Sequence, residues 1–231
     1  MRHIKHFSFD LWFTLIKSNP TFKKERALYF HKHFNSHNKA LQEVETVFRT
    51  VDLMCNTINE KTGKNIDAEE MYLMVIYMIN DGTSAFANID TADLYSEMEQ
   101  LIINFPPSIF NEQTKVCLQK LKEKSGVTLS ILSNTAFVKG STLRLILKEI
   151  EFAQYFDFQI YSDETQVSKP NKEIYRILLE KIVEFRDFNI ALNEIIHVGD
   201  NPVADILGAK AIGINAFQVN TNNKLISNLF D

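Results

Sequence analysis

The sequence has little glycine, proline or cysteine, and each scarcity narrows the class of protein. Seven glycines and five prolines among 231 residues exclude a collagen-like or low-complexity chain and fit a globular one. The two cysteines, Cys55 and Cys117, lie far apart, without the spacing of a metal site or a disulfide framework. We therefore expect two buried thiols in a reducing compartment.

Two further absences concern partners and location. The chain has no excess of positive charge, since its net charge is −4 at pH 7, and this argues against a nucleic-acid binder that depends on phosphate contacts. No apolar run reaches the roughly 18 residues of a membrane helix, and the N-terminal apolar stretch has no small-residue cleavage site after it. We expect a cytoplasmic protein with no membrane or nucleic-acid partner.

What the sequence does contain is an alternation of apolar strands with amphipathic helices. The first predicted strand is Ile4–Phe9, and four more follow Pro107. These four are Val127–Leu132, Phe156–Tyr161, Glu194–Val198 and Ile214–Val219. Helical patterns of crossover length separate them, so the chain is predicted to form an α/β fold with a doubly wound parallel sheet.

Between the first strand and Pro107 the pattern is helical only. Apolar residues recur every three or four positions, which is typical of amphipathic helices. One helix is predicted to begin at Asp67, because Glu70 follows three residues later as a reciprocal cap. We expect a helical bundle over residues 18–106, inserted into a core domain made of residues 1–17 and 107–231.

Polar side chains follow several of the predicted strands. They are Asp10 and Thr14 after the first strand, Ser133 and Asn134 after the second, Lys169 in a loop, and Asp200 and Asp205 after a later strand. If the strands are parallel neighbours, these residues share the edge of the sheet at which open α/β folds bind ligands. Carboxylates gathered there repel one another unless a cation compensates, so the pattern predicts a Mg²⁺ site.

Four short motifs, in this order, resemble those of the haloacid dehalogenase-like (HAD) hydrolase superfamily. They are Phe9–Thr14 (FDLWFT), Leu132–Thr135 (LSNT), Val167–Pro170 (VSKP), and His197–Pro202 (HVGDNP) with Asp205. Each motif has its required position relative to a predicted strand or helix. The resemblance covers almost the whole chain and implies a Rossmann-like core with a helical cap inserted after the first motif.

The resemblance implies a nucleophile and a metal site. Asp10 would attack phosphorus and form an aspartyl-phosphate, which water then hydrolyses. Mg²⁺ would be held by the carboxylates of Asp10 and Asp200 and by the backbone carbonyl of Trp12, with Asp205 as a nearby or second-sphere acid of the metal site. The ion would neutralise charge on both the nucleophile and the substrate.

The resemblance also implies residues that bind the phosphoryl group. Lys169 would be the second catalytic residue, supplying a fixed positive charge that binds the phosphoryl group and restrains Asp10. Thr14, Ser133 and Asn134 would complete the substrate-binding set. The implied substrate is a small phosphorylated molecule.

One position departs from the family's phosphatases. Two residues after the nucleophile they carry a second Asp, which protonates the leaving oxygen. This chain has Trp12 there, and an indole is a hydrogen-bond donor that cannot exchange this proton. General acid/base catalysis is typically worth about 10² to 10⁴ in rate.

Three functions follow from this departure. The one we predict is a Mg²⁺-dependent phosphatase-like hydrolase. It would either take a proton carrier from the cap, with His31, His33 or His37 as candidates, or act on acyl and aryl phosphates, whose leaving groups need no acid. A third possibility is a non-catalytic protein that binds a phosphorylated ligand or partner.

The remaining function of the three is that of a 2-haloacid dehalogenase, which would use Asp10 as its nucleophile. Dehalogenases also carry an aromatic residue at the position of Trp12, because halide leaves without a proton. They lack the Gly-Asp-Asn sequence that this chain keeps, and they use an early cap arginine, which is absent from His31 to Phe48. A phosphonate-cleaving relative would need a Schiff-base lysine, for which Lys23, Lys24, Lys32 and Lys39 are available.

Overall fold

The computed structural model describes residues 3–83, 86–186 and 190–230. In chain order its strands and helices are β1 (His6–Phe9), β2 (Ile16–Lys17), α1 (Pro20–His33), α2 (Leu41–Thr62), α3 (Ala68–Ile79), α4 (Thr91–Asn104), β3 (Ser108–Ile109), α5 (Gln113–Lys122), β4 (Thr128–Ser133), α6 (Gly140–Glu149), β5 (Phe158–Tyr161), α7 (Ser162–Thr165), α8 (Lys172–Arg186), β6 (Ile195–Gly199), α9 (Gly208–Lys210) and β7 (Asn215–Gln218). A π-helical turn, Pro202–Leu207, runs into α9. Short 3-10 turns lie at Phe86–Asn88, Ala153–Tyr155, Leu192–Glu194 and Ile226–Phe230.

The main sheet has five parallel strands in the order β5-β4-β1-β6-β7. This arrangement confirms the α/β prediction, and every strand overlaps its predicted segment, with ends that differ by at most two residues. Strand β1 lies in the middle, hydrogen-bonded to β4 on one side and β6 on the other. The ends of these three strands therefore meet at one edge.

Helices cover both faces of this sheet because the strand side chains alternate. From β1, Phe7 and Phe9 join a buried cluster with residues of α5 and α6, such as Leu118 and Leu143. A second buried cluster joins strand residues such as Leu132 to α8. Burial on two faces explains why the strands read as nearly continuous apolar runs in the sequence.

Helices α1–α4, here called the helical segment, lie between the antiparallel pair β2 and β3. Their apolar faces form a buried cluster of their own, which also includes Phe137 from the stretch after β4. The predicted helix start is confirmed: Asp67 caps α3, and its backbone N–H donates to Glu70 Oε2 at 3.0 Å. The division of the chain into two domains at residues 18–106 stays a prediction.

Both cysteines are buried and unpaired, as expected. Cys55 lies in the cluster of the helical segment, and Cys117 lies against the sheet. Among the residues that the structure describes, no helix is both long enough and apolar enough to cross a membrane.

Candidate active site

The turn after β1 presents Asp10 at the carboxyl edge of the sheet. The Asp10 backbone N–H still donates to Val198 of β6, at 2.8 Å, and the chain then turns back so that the N–H groups of Leu15 and Ile16 donate to the Leu11 carbonyl. Phe13 makes this turn possible by adopting a left-handed φ of 58°. The reversal brings the Thr14 hydroxyl back to Asp10, where it donates to Oδ2 at 3.2 Å.

Three carboxylates converge at this edge, as expected from the positions of Asp10, Asp200 and Asp205 after the predicted strands. Asp10, Asp200 and Asp205 each contribute one oxygen to a cluster in which these atoms lie within 4.8 Å of one another. Asp10 follows β1 and Asp200 follows β6, so their proximity comes from the pairing of those strands. Asp205 reaches the same point from the π-helical turn that follows.

Lys169 connects two of these carboxylates. Its ammonium group donates to Asp10 Oδ1 at 2.7 Å, to Asp205 Oδ1 at 2.6 Å and to the Leu132 carbonyl at 2.7 Å. Three acceptors match the three donors of an ammonium group, and the residue is only 1% exposed. Burial opposes its charge, but the two carboxylates outweigh burial and raise the Lys169 pKa. Lys169 therefore stays protonated.

Asn134 fixes the loop that carries Lys169. Its Oδ1 accepts from the Lys169 backbone N–H at 2.7 Å, and its Nδ2 donates to the Lys169 carbonyl at 3.0 Å. Ser133 is fully buried, and its hydroxyl donates to the Asn134 carbonyl at 3.1 Å. The roles of these two residues in substrate binding stay predictions, since the contacts observed here are structural.

Both carboxylate oxygens of Asp205 contact hydrogen-bonding groups of the protein. Oδ1 accepts from Lys169 and lies 3.1 Å from His197 Nε2, while Oδ2 accepts from the Asn201 backbone N–H at 2.9 Å. Burial raises the Asp205 pKa, but Lys169 and His197 together outweigh it and hold that pKa well below its usual range. The carboxylate fits against Gly199, where an added Cβ would come within 2.2 Å of it.

The pKa values of Asp10 and Asp200 are shifted in the opposite direction to that of Asp205. Burial raises the Asp10 pKa to about 6, although Lys169 partly opposes the shift. Burial, followed by repulsion from Asp10 and Asp205, raises the Asp200 pKa to about 7. Two carboxylates that resist ionisation in this way are a suitable site for a divalent cation, which would relieve both burial and repulsion.

The backbone of Trp12 also fits a hard cation. Among the described residues its carbonyl oxygen accepts no hydrogen bond, because the neighbouring turn uses the carbonyls of Leu11 and Ile16 instead. The residues present therefore fit Mg²⁺ through oxygens of Asp10, Asp200 and Trp12, the donor type that this ion prefers. Asp205 would then act behind the ligands, holding Lys169 and the Asn201 backbone.

A cavity of about 550 Å³ opens onto this cluster. Its walls come from the sheet edge and from α1 and α2 of the helical segment. The residues from the helical segment include Lys23, Arg26, Arg49, Asp52 and Glu60. A volume of this size is typical of sites for small molecules.

The three histidines offered as proton carriers lie elsewhere. His31, His33 and His37 do not line the cavity. The His33 ring packs on Tyr29, with ring centroids 4.6 Å apart, and His37 lies beside Asn80 and Thr83. The structure therefore does not support these three histidines as proton carriers, because none of them lines the cavity that contains Asp10.

Two residues of this cavity, Glu60 and Arg26, were not predicted from the sequence. Glu60 Oε1 accepts from Asn201 Nδ2 at 2.6 Å, linking α2 to the loop that carries Asp200. Arg26 lies on the same face of α1 as Phe22 and Phe30, at a four-residue spacing, and all three are buried. A charged residue inside an apolar helical stripe is the signal that could have identified Arg26.

The fold and the site define an α/β protein with three clustered aspartates that could hold a metal ion and with the buried Lys169, all at the ligand-binding edge of its sheet. The chain belongs to the haloacid dehalogenase-like hydrolase family, whose model matches residues 4–213. The motifs that carried the resemblance lie within that match, so the prediction of the family is confirmed.

Similar proteins agree with this assignment. A phosphorylated carbohydrates phosphatase of Thermotoga maritima is 24% identical over 131 residues, which are 51% of this chain and 56% of that protein. The chain thus spans little more than half the length of this relative.

Two solved structures share the fold. The HAD hydrolase YfnB of Bacillus subtilis, bound to magnesium, has a TM-score of 0.69 at 17% identity, covering 95% of this chain and 90% of YfnB. An L-2-haloacid dehalogenase of Xanthobacter autotrophicus has a TM-score of 0.61 at 19% identity, covering 94% and 77%.

Proposed function

We propose that the protein is a Mg²⁺-dependent phosphatase-like hydrolase that acts on small phosphorylated molecules through an aspartyl-phosphate at Asp10. The observation that carries the proposal is the arrangement of Lys169, whose ammonium group bridges Asp10 and Asp205 beside Asp200. A fixed cation next to a carboxylate nucleophile suits attack on a charged phosphoryl group. The phosphatase relative from Thermotoga maritima supports the same activity.

The chemistry assigned to Asp10 has two steps. First, a carboxylate oxygen forms a bond to phosphorus while the bond to the leaving oxygen breaks. Water then attacks phosphorus and releases phosphate and the free carboxylate. Lys169 and Thr14 hold the two Asp10 oxygens and so orient the nucleophile. When bound, Mg²⁺ would lower the repulsion between Asp10 and the phosphoryl oxygens.

The helical segment would act as a cap. Helices α1 and α2 form one wall of the cavity, and Glu60 and Asn201 connect that wall to the sheet edge. A lid in this position excludes water and selects the leaving group. Since no histidine of the cap reaches the cavity, we propose the second form of the prediction, in which aryl and acyl phosphates are preferred over alkyl phosphates.

Phosphate release from 4-nitrophenyl phosphate tests this proposal. We expect turnover with Mg²⁺, loss of turnover when EDTA removes the ion, and recovery when Mg²⁺ is added back. Ethyl phosphate should be slower by about 10² or more, because its leaving oxygen needs a proton. Equal activity with and without the metal, or equal rates for both substrates, would count against the proposal.

The effect of pH on metal binding is a second prediction. In the folded protein the pKa values of Asp10 and Asp200 are raised to about 6 and about 7, whereas unfolded Asp titrates near 4. These two carboxyl groups therefore stabilise the folded, metal-free protein fully below about pH 4, and their contribution is lost as the pH rises through 6 and 7. Mg²⁺ needs both groups ionised, so it should stabilise the protein more at high pH.

Thermal unfolding with and without Mg²⁺ measures this dependence. The increase in Tm caused by the ion should be larger near pH 8 than near pH 5.5, where protons compete and should weaken binding by roughly tenfold or more. The Asp200→Asn variant is the control, and its Tm increase should be small at both pH values. A larger increase at the lower pH would contradict the assignment of these ligands.

A 2-haloacid dehalogenase is the second candidate, and two observations favour it. Trp12 leaves the cavity without the usual acid, and Arg26 lines the cavity although the sequence showed no arginine from His31 to Phe48. The Gly199-Asp200-Asn201 sequence and its raised Asp200 pKa favour the metal-dependent function instead. Halide release from 2-chloropropionate, without Mg²⁺, would establish the dehalogenase.

A further inference from the structure

Arg26 is a buried cation in an apolar part of the cavity wall. The residue is only 8% exposed. Its guanidinium carbon lies 4.1 Å from the centroid of the Phe48 ring, 4.4 Å from that of Phe137 and 5.1 Å from that of Phe22. These rings come from α2, from the stretch after β4 and from α1, so three parts of the chain converge on one guanidinium group.

No carboxylate of the described residues pairs with Arg26. Its Nε is buried and has no hydrogen-bond partner within the described part of the chain. The guanidinium interacts with the Tyr72 hydroxyl, whose pKa is raised to about 12 by burial, so this oxygen is neutral. By contrast, Arg49 of the same cavity lies 3.2 Å from Asp52 and is already paired.

A buried guanidinium without an anion is costly. Burial lowers the Arg26 pKa, although the Tyr72 hydroxyl and, more weakly, the Asp52 carboxylate oppose the shift. The ring contacts offset part of this cost, since the negative face of an aromatic ring attracts the guanidinium charge. The rings offer no oxygen acceptor to the guanidinium N–H groups, which are the part that recognises oxygen anions.

We propose that Arg26 binds a second anionic group, a carboxylate or a phosphate, on the part of the substrate that leaves. Arg26 lines the same cavity as Asp10 and Lys169, and the cavity volume of about 550 Å³ suits a small molecule. The proposal rests on the proposed function and narrows its substrate class to small organic phosphates that carry a further negative charge. Guanidinium groups bind both kinds of anion in bidentate fashion.

Binding of phosphonates tests Arg26 without any turnover. Calorimetry in the presence of Mg²⁺ would compare methylphosphonate with chains that add a carboxylate, namely phosphonoacetate, 3-phosphonopropionate and 4-phosphonobutyrate. The bisphosphonates of matching length distinguish a phosphate from a carboxylate. We expect at least one ligand with a second anionic group to bind roughly 10- to 100-fold more tightly than methylphosphonate, the range for a hydrogen bond to a charged group.

Two substitutions of Arg26 separate recognition from packing. Arg26→Met keeps the apolar contacts and loses the charge, and it should bind all of these ligands as weakly as methylphosphonate. Arg26→Lys keeps the charge without the planar fork and should recover only part of the preference. Arg176→Gln, which removes an exposed arginine of α8 that pairs with Glu173 and does not line the cavity, should keep the full preference.

Each outcome decides the assignment. A wild-type preference that disappears in Arg26→Met, with methylphosphonate binding and the circular dichroism spectrum unchanged, supports it. Equal binding of all ligands by the wild type, or equal weakening of methylphosphonate in Arg26→Met, overturns it and leaves Arg26 a packing residue. If 4-nitrophenyl phosphate is not hydrolysed but the preference is present, the proposed function fails while the anion site stands.

Discussion

Asp10→Asn is expected to reduce Mg²⁺-dependent phosphate release from 4-nitrophenyl phosphate by about 10⁴-fold or more, the range found when a nucleophile is removed. Asparagine keeps the shape of the side chain but has neither the negative charge that attacks phosphorus nor the charge that would hold the metal. It also removes the anion that faces the Lys169 ammonium group at 2.7 Å. Initial rates over a range of substrate concentrations measure the loss in kcat/KM.

Asp52→Asn is the matched control for this variant. Asp52 is a carboxylate of the same cavity, but it lies on α2, pairs with Arg49 and is not part of the acid cluster. We expect its activity to stay close to that of the wild type. The residual activity expected after loss of a nucleophile is far below a tenth. If Asp10→Asn keeps more than about a tenth of the activity, Asp10 does not act as proposed.

Trp12→Asp is expected to have the second largest effect, and in the opposite direction. The family's phosphatases carry an Asp at this position, where it protonates the leaving oxygen. Restoring it should raise turnover of ethyl phosphate by about 10² or more, within the usual contribution of general acid catalysis. Turnover of 4-nitrophenyl phosphate should change much less, because nitrophenolate leaves without a proton.

Trp12→Asn separates the acid from the loss of the indole. Trp12 is partly buried and packs against the main core, so either substitution removes apolar contacts. Asparagine has the size of aspartate and cannot donate a proton in this way, so Trp12→Asn should leave ethyl phosphate as slow as in the wild type. Equal gains in both variants would show that the space left by the indole, and not the acid, limits the reaction.

The fold and the acid cluster could be predicted because both follow from local patterns. Apolar runs separated by helices define parallel strands, and parallel neighbours bring their carboxyl ends to one edge. Asp10 and Asp200 therefore lie close together although 190 positions separate them. Lys169 reaches Asp10 from a loop beside β4. The structure confirms this convergence.

The cavity wall could not be predicted in the same way. Which side chains of α1 and α2 face the sheet depends on how the helical segment packs, and periodicity gives the apolar face of a helix without naming its partner. The sequence therefore suggests His31 and His33 as proton carriers, whereas it does not suggest Arg26, which lies in an apolar stripe of α1. Its burial among three aromatic rings becomes visible only in the folded chain.

Covalent capture at Asp10 tests the central claim most directly. The wild-type protein is quenched with acid during steady-state hydrolysis of 4-nitrophenyl phosphate with Mg²⁺, digested, and mapped by mass spectrometry, with Asp10→Asn treated in parallel. The account predicts a phosphoryl group on the peptide that contains Asp10, sensitive to hydroxylamine as an acyl phosphate is, and absent from the variant. Phosphate release with the phosphoryl group on another residue, or undiminished release in the variant, would contradict it.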